Sequence, residues 1–68
     1  MNLTVQIEYV GVRNTSITVW NGDLFLPLYG MDFECRSEGD IFAAGLAQTL
    51  LNEQIAKSCD FRIFHHKN

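Results

Sequence analysis

Residues 37–58 carry the sequence SEGDIFAAGLAQTLLNEQIAKS, and this stretch decides the class of fold. At about 100° per residue, its apolar side chains form one broad arc and its polar side chains lie opposite. The arc consists of Phe42, Ala43, Ala44, Leu46, Ala47, Leu50, Leu51 and Ile55. Ser37 and Asp40 are both candidate N-caps of this segment. The pattern predicts one amphipathic helix over residues 37–58 that lies on a sheet.

Stretches with the pattern of β-strands lie on both sides of this helix. Residues 3–10, 31–36 and 60–66 alternate in the manner of half-buried strands, and residues 15–20 are rich in β-branched side chains. Gly11 to Asn14 is expected to form the turn between the first two strands. The predicted order is therefore strand, strand, strand, helix and strand, with the third strand bent or split.

The dipeptide Asn21-Gly22 predicts a tight hairpin after the second strand. A type I′ turn requires positive φ at both central residues, which Asn and Gly tolerate. The resulting register pairs Trp20 with Asp23, Val19 with Leu24, Thr18 with Phe25 and Ile17 with Leu26. Opposed residues lie on the same face, so Val19 and Leu24 are expected to face the core. Pro27 lacks the N–H that this ladder requires, which predicts an end or a bulge at 26–27.

These elements predict a single α+β domain over residues 1–68. We expect two layers, an antiparallel sheet of three to five strands with one helix packed on one face, in the order βββαβ. The expected core consists of Val5, Ile7, Val19, Leu46, Leu50, Leu51 and Ile63. A core of this size supplies only roughly 3–5 kcal/mol of stability, which favours support from a partner or a second copy.

Composition and charge argue against several classes of protein. The chain is 47% hydrophobic and has a net charge of −3, from five basic and eight acidic residues. It has no run of Lys or Arg, which argues against direct binding to nucleic acid or to an anionic membrane. The longest near-apolar run, residues 24–29, is far shorter than the roughly 20 residues of a membrane span. Without the pattern of a signal peptide, we expect a cytoplasmic protein with reduced Cys35 and Cys59.

The sequence shows no constellation of catalytic or metal-binding residues. It has no Gly-rich phosphate loop, no Cys-x-x-Cys pair and no His-Glu-x-x-His motif. Cys35 alternates with Met31 and Phe33, which favours a small buried hydrophobe over a nucleophile served by a histidine. Neighbouring His65 and His66 point to opposite faces of a strand, which favours a solvated tail over a shared metal ion. We therefore expect no enzyme, no metal site and no cofactor.

A group of aromatic side chains is the most informative candidate site. In the predicted register, Trp20 and Phe25 lie on the face away from the helix, and Tyr29 is expected to join them. Trp, Tyr and Phe dominate the energetics of interfaces, so these three are candidate partner-binding residues. The alternative is that Trp20 folds over the sheet edge, or that the bend returns Phe25 and Tyr29 to the core.

A second candidate site is the acidic group at the start of the helix. Glu34, Glu38 and Asp40 lie close together in the sequence and could present negative charge to a basic partner. The alternative is the ordinary acidic charge that stabilises the positive end of a helix dipole. The sequence does not decide whether the aromatic face or the acidic group binds.

The predicted order of three strands, a helix and a strand resembles that of HicB-like small domains. In size, acidity and lack of catalytic residues, the chain also resembles small phage-encoded accessory proteins, among them anti-CRISPR inhibitors. These resemblances imply a non-catalytic protein-binding module that blocks a larger host defence complex, such as a CRISPR effector, in the host cytoplasm. The alternative is a structural or accessory subunit that associates with its own copy through the exposed sheet face.

Overall fold

The computed structural model describes residues 2–22 and 28–66. In chain order, its elements are β1 (Asn2–Val10), β2 (Asn14–Asn21), β3 (Tyr29–Phe33), α1 (Arg36–Asn52) and β4 (Ser58–His66). The strands form one sheet in the order β3-β2-β1-β4, and α1 packs against it. The expected α+β class, the element order βββαβ and the single packed helix are confirmed for these residues.

The direction of β4 makes the sheet mixed rather than antiparallel. The pairs β1–β2 and β2–β3 are antiparallel, whereas β4 runs parallel to β1. Because each of the first three strands is antiparallel to the one before it, β3 runs in the same direction as β1. The helix then returns the chain across the sheet, so that β4 starts at the same end as β1. A parallel pair requires such a crossover connection, which α1 provides.

The connection between β2 and β3 is longer than the predicted hairpin. Val19 pairs with Tyr29 and Ile17 pairs with Met31, so the predicted pairing of these residues with 24 and 26 is wrong. Gly22 adopts a positive φ of 56°, but Asn21 remains the last residue of β2 and no type I′ turn forms. Pairing begins at Tyr29, beyond the proline that cannot donate to a ladder. The predicted end or bulge at 26–27 lies outside the described residues.

The core lies between α1 and the two central strands. Its buried apolar residues are Leu3, Val5, Ile7, Ile17, Val19, Ala43, Ala47 and Ala56. Leu46 and Leu50 pack against this core and are partly buried. The prediction that Leu51 and Ile63 are buried is wrong, because both are exposed. Ile63 pairs with buried Ile7, so the cover that the helix provides is only partial on β4, where Cys59 packs against the core and Ile63 does not.

A stripe of small side chains brings α1 close to the sheet. Gly39, Ala43 and Ala47 recur every fourth residue and are the buried residues of the helix. A methyl group on Gly39 would lie 2.6 Å from both Cβ and Cγ2 of Thr15 in β2. That separation is far below a van der Waals contact, so a side chain at this position would push the helix away from the strand.

Both ends of α1 differ from the predicted ends. The helix begins at Arg36 with Cys35 as its N-cap residue, so the predicted caps Ser37 and Asp40 are wrong. It ends at Asn52 rather than near residue 58, because Gln54 adopts a positive φ of 58°. The N–H groups of residues 54 and 55 donate to the carbonyls of residues 51 and 50, which is the Schellman pattern of a helix end. Glycine usually occupies the position of Gln54, and its absence hid this helix end from the sequence pattern.

The close approach of the helix predicts opposite effects for the same substitution at two helical glycines. Gly39→Ala should lower the free energy of unfolding by about 1–3 kcal/mol, because the new methyl group collides with Thr15. Gly45→Ala should raise it by up to about 1 kcal/mol, since alanine favours a helix and nothing lies within 4 Å. Urea unfolding of both variants measures the difference, and a stabilised Gly39→Ala variant would contradict the packing described above.

The helix end predicts a stabilising glycine substitution. Gln54→Gly should raise the free energy of unfolding by up to about 1 kcal/mol, because glycine adopts the left-handed conformation without steric cost. The matched control is Gln48→Gly in the helix interior, which should lower it by about 1 kcal/mol. Thermal unfolding distinguishes the two, and equal destabilisation by both would argue against a helix end at this position.

Candidate functional site

The side of the sheet opposite α1, here called the outer face, is the candidate site. Successive residues of a strand alternate between the two faces, so the outer face carries the neighbours of the core residues. Its side chains come from Thr4, Gln6, Glu8, Ser16, Thr18, Trp20, Asp32, Asp60, Arg62, Phe64 and His66. No element among the described residues covers this face.

A chain of polar contacts crosses the outer face between β1 and β4. Arg62 Nε and Nη2 donate to Gln6 Oε1 at 2.9 and 2.6 Å. Gln6 Nε2 donates to Glu8 Oε1, and His66 Nε2 lies 3.0 Å from Glu8 Oε2. Gln6 is only 8% exposed. Burial of its polar amide carries little energetic cost, because these contacts satisfy both its oxygen and its nitrogen. The chain of contacts fixes the guanidinium of Arg62 in one place on the face.

Arg62 lies between two aromatic side chains. Its Cζ atom is 5.9 Å from the ring centroid of Trp20 and 5.9 Å from that of Phe64, within the range of cation–π contacts. Trp20 Nε1 donates to Thr18 Oγ1 at 3.0 Å, which orients the indole. Trp20 is half-buried and Phe64 is exposed. We call Trp20, Arg62 and Phe64 the aromatic–arginine cluster.

The predicted aromatic group is rearranged in the structure. Trp20 lies on the outer face, but Tyr29 does not, because the longer connection gives it the same face as buried Val19. Tyr29 instead stacks on Phe42 of α1, with ring centroids 6.2 Å apart. Phe25 lies outside the described residues. The contacts of Arg62 with Trp20 and Phe64 could not be predicted from the sequence, because they depend on the parallel pairing of β4 with β1.

Asp40 forms a structural contact at the start of the helix. Tyr9 Oη donates to Asp40 Oδ1 at 2.6 Å, and Arg36 lies over the Tyr9 ring with its Cζ 4.4 Å from the centroid. The hydrogen bond to Asp40 raises the pKa of Tyr9, and burial adds to the effect. These contacts connect the first turns of α1 to β1.

The other two acidic candidates are exposed side chains in different surroundings. Glu34 lines an open depression beside the turn of residues 11–13, together with Arg13. Glu38 lies in the first turn of α1, where negative charge favours the helix dipole. Their predicted role in binding remains a prediction.

The two free cysteines have different environments. Cys35 is not the buried strand residue that the alternation predicts, because β3 ends at Phe33 and Cys35 is the half-buried N-cap of α1. Its Sγ lies 3.1 Å from Ser37 Oγ, and this hydrogen bond lowers the pKa of the thiol, with help from the backbone N–H groups of Glu38 and Ser37. Burial and then the charge of Asp60 raise the pKa of the Cys59 thiol.

The histidines of β4 lie on opposite faces of the sheet. The His65 ring is 5.1 Å from that of Tyr9 on the helix side, whereas His66 contacts Glu8 on the outer face. Within residues 2–22 and 28–66, no three His, Cys, Asp or Glu side chains come together as metal ligands would.

Comparisons with known proteins assign no family to the chain. Models of protein families, curated proteins and solved structures were compared with it, and none matches. As a separate finding, no helix in the described part of the chain has the length and apolar character needed to cross a membrane. The candidate function therefore depends on the chain's own residues, above all on the aromatic–arginine cluster.

The two thiols should differ in their rate of alkylation. The thiolate is the reactive form, so the lowered pKa of Cys35 should make it react faster with iodoacetamide than Cys59 near neutral pH. The pH at which the alkylation rate reaches half of its maximum should be lower for Cys35 than for Cys59. Both rates can be measured by labelling the folded protein and analysing its peptides by mass spectrometry. As a control, Ser37→Ala should slow the labelling of Cys35 alone, because it removes the hydrogen bond to that thiol. Faster labelling of Cys59 would contradict these environments.

Proposed function

We propose that this protein is a small non-catalytic protein-binding module that engages its partner with the outer face of its sheet. The observation that carries the proposal is the aromatic–arginine cluster, in which Arg62 lies between Trp20 and Phe64 on a sheet face that none of the described elements covers. Trp, Tyr and Arg are the residue types that most often dominate the binding energy of protein interfaces.

The cluster is well suited to binding because it is ordered before a partner arrives. Gln6 holds the guanidinium of Arg62, and Thr18 holds the indole of Trp20. Ordering a long side chain on binding costs about 0.5–1.5 kcal/mol, and this cost is reduced when the free protein already fixes it. A partner therefore meets a flat surface whose largest side chains are already in position.

The charges of the outer face favour a protein partner over a nucleic acid. Glu8, Asp32 and Asp60 accompany Arg62 on this face, and the chain carries a net charge of −3. Affinity for nucleic acid comes mainly from cationic side chains on phosphates, of which this face offers few. The mixed polar and aromatic surface matches a protein interface with a polar rim.

We propose further that the partner belongs to a larger host defence complex. This step follows from the resemblance to phage-encoded inhibitors, with a CRISPR effector as the specific candidate. Such an inhibitor acts in the host cytoplasm by occupying a surface of the complex, which requires no catalytic group. The alternative is a structural or accessory subunit whose uncovered sheet face meets another copy.

Truncation of the cluster should weaken binding far more than folding. With purified CRISPR effector complexes as the probe, Trp20→Ala should raise the dissociation constant by about 30-fold or more, which is the effect of losing an interface anchor worth about 2 kcal/mol. Its free energy of unfolding should change by only about 0.5 kcal/mol, since Trp20 lies outside the core. Inhibition of target cleavage by the effector gives a second readout.

Tyr29→Ala is the matched control, since it removes an aromatic side chain from the helix side of the sheet. It should retain binding, although its contact with Phe42 is lost. Trp20 is the single tryptophan, so its fluorescence reports directly on the outer face. A fluorescence change with single-stranded oligonucleotides and none with protein partners would overturn the proposal, as would full binding by Trp20→Ala.

A further inference from the structure

β4 is an edge of the sheet with features that favour pairing with another strand. It is nine residues long, contains no proline, and has β1 on one side and no strand of the described chain on the other. Natural proteins usually shorten, bend or cover such an edge, because its free backbone groups invite pairing. The opposite edge, β3, has only five residues and contains Gly30.

β4 carries the most exposed large apolar side chains on the helix side of the described sheet, although Tyr29 and Met31 of β3 are also 41% exposed. Phe61 and Ile63 are 50% and 52% exposed, although their partners on β1, Val5 and Ile7, are 0% and 6% exposed. Phe64 is exposed on the other side of the same strand. An apolar edge strand exposed on both faces is the kind of surface that another protein surface covers.

The hydrogen bonds of β1 show which backbone groups of β4 are free. The N–H of Gly11 donates to the carbonyl of His66 at 3.3 Å, so the backbone groups of His66 point toward β1. Backbone groups alternate along a strand, so the even-numbered residues of β4 bond β1. The N–H and C=O groups of Cys59, Phe61, Ile63 and His65 therefore point to the open side.

A second copy of the chain satisfies these groups only in certain registers. A two-fold axis pairs β4 with itself in the antiparallel direction. The two β4 strands can form hydrogen bonds only when odd-numbered residues of one copy lie opposite odd-numbered residues of the other. This condition also places both helices on the same side of the sheet. In such a register one residue lies opposite its own copy, and the two-fold axis passes between these two residues. An axis through Asp60 or Arg62 is disfavoured because it places like charges directly opposite each other.

An axis through Phe61 brings opposite charges together. Asp60 of each copy then lies opposite Arg62 of the second copy, in the closer, non-hydrogen-bonded type of pair. The contacts with Gln6 use Nε and Nη2 of Arg62, which leaves the two N–H donors of Nη1 for Asp60. On the helix side, Phe61 meets its own copy and Cys59 lies opposite Ile63. An axis through Ile63 would instead place Asp60 opposite His66, which already contacts Glu8.

We propose that two copies of this protein pair through β4 in the register centred on Phe61. The product is one eight-stranded sheet with both helices on one face and both outer faces on the other. About six backbone hydrogen bonds and two Asp60–Arg62 ion pairs join the copies, by the antiparallel pattern. The inference rests on the edge of β4; it shares Arg62 with the outer face but does not require the function proposed for that face.

A charge exchange tests the dimer by sedimentation equilibrium. Asp60→Lys and Arg62→Glu should each raise the dissociation constant of the dimer by about tenfold or more, because each replaces two attractive pairs with two repulsive ones. The double variant Asp60→Lys with Arg62→Glu should restore dimerisation to within about threefold of the original. Asp32→Lys, which makes the same charge change on β3, is the matched control and should have no effect.

Cross-linking tests the register independently. In a Cys35→Ser background, Ile63→Cys should form a covalent dimer under mild oxidation, because it lies opposite Cys59 of the second copy at a Cα separation of about 5.5 Å. His65→Cys is the control, since it would meet Cys59 only in the register centred on Arg62.

A wild-type chain that stays monomeric at millimolar concentration would overturn the dimer. Failure of the charge exchange to restore it, or cross-linking by His65→Cys alone, would overturn the register. Trp20→Ala should dimerise normally, which keeps this test separate from that of partner binding.

Discussion

The contact between Gly39 and Thr15 sets the position of the helix, and the exposed surfaces of the protein follow from it. Because no side chain separates them, α1 lies close to β2, and Ala43 and Ala47 continue the contact along the core. A single helix held this close covers only the central strands. Phe42 contacts Tyr29 and Phe33 of β3, but the cover is incomplete at both edges, since Tyr29 of β3 is 41% exposed and Ile63 of β4 is 52% exposed. The position of one helix over the central strands thus explains why the edge strands of the sheet are only partly covered.

The parallel pairing of β1 with β4 assembles the outer face. It places Arg62 beside Gln6 and Phe64 beside Glu8, although these residues are more than fifty positions apart in the chain. Trp20 reaches the same neighbourhood from β2, on the other side of β1. β1 therefore contributes to two surfaces at once, with Val5 and Ile7 in the core and Gln6 in the polar contacts that order the cluster. A β4 that paired in the opposite direction would place different side chains beside Trp20.

Local sequence patterns predicted the elements of this fold better than the contacts between them. Alternation and helical periodicity are properties of short segments, and they predicted β1, β2, the helix and β4 close to their observed positions. The prediction of a hairpin at Asn21-Gly22 was wrong. A two-residue turn there would have placed Pro27, which has no N–H to donate, in the ladder. The predicted end of the helix near residue 58 was wrong because Gln54 adopts a positive φ, which residues with a side chain rarely adopt. The aromatic–arginine cluster and the exposure of Ile63 depend on how distant strands pair and on how far the helix extends over them, which no short segment determines.

The small residues that allow close helix packing also limit the stability of the isolated chain. The helix contributes Gly39, Ala43 and Ala47 at its closest contacts, and these bury little apolar surface each, while larger side chains at residues 51, 61 and 63 stay exposed. Under the proposed pairing, a second copy buries part of this exposed surface and satisfies the free backbone groups of β4. Binding that involves only the folded form shifts the folding equilibrium toward that form by mass action. Association through β4 would then supply stability that close helix packing withholds from the single chain. It would engage Arg62 at the edge of the outer face, whereas Trp20 lies on β2, two strands away from the pairing edge.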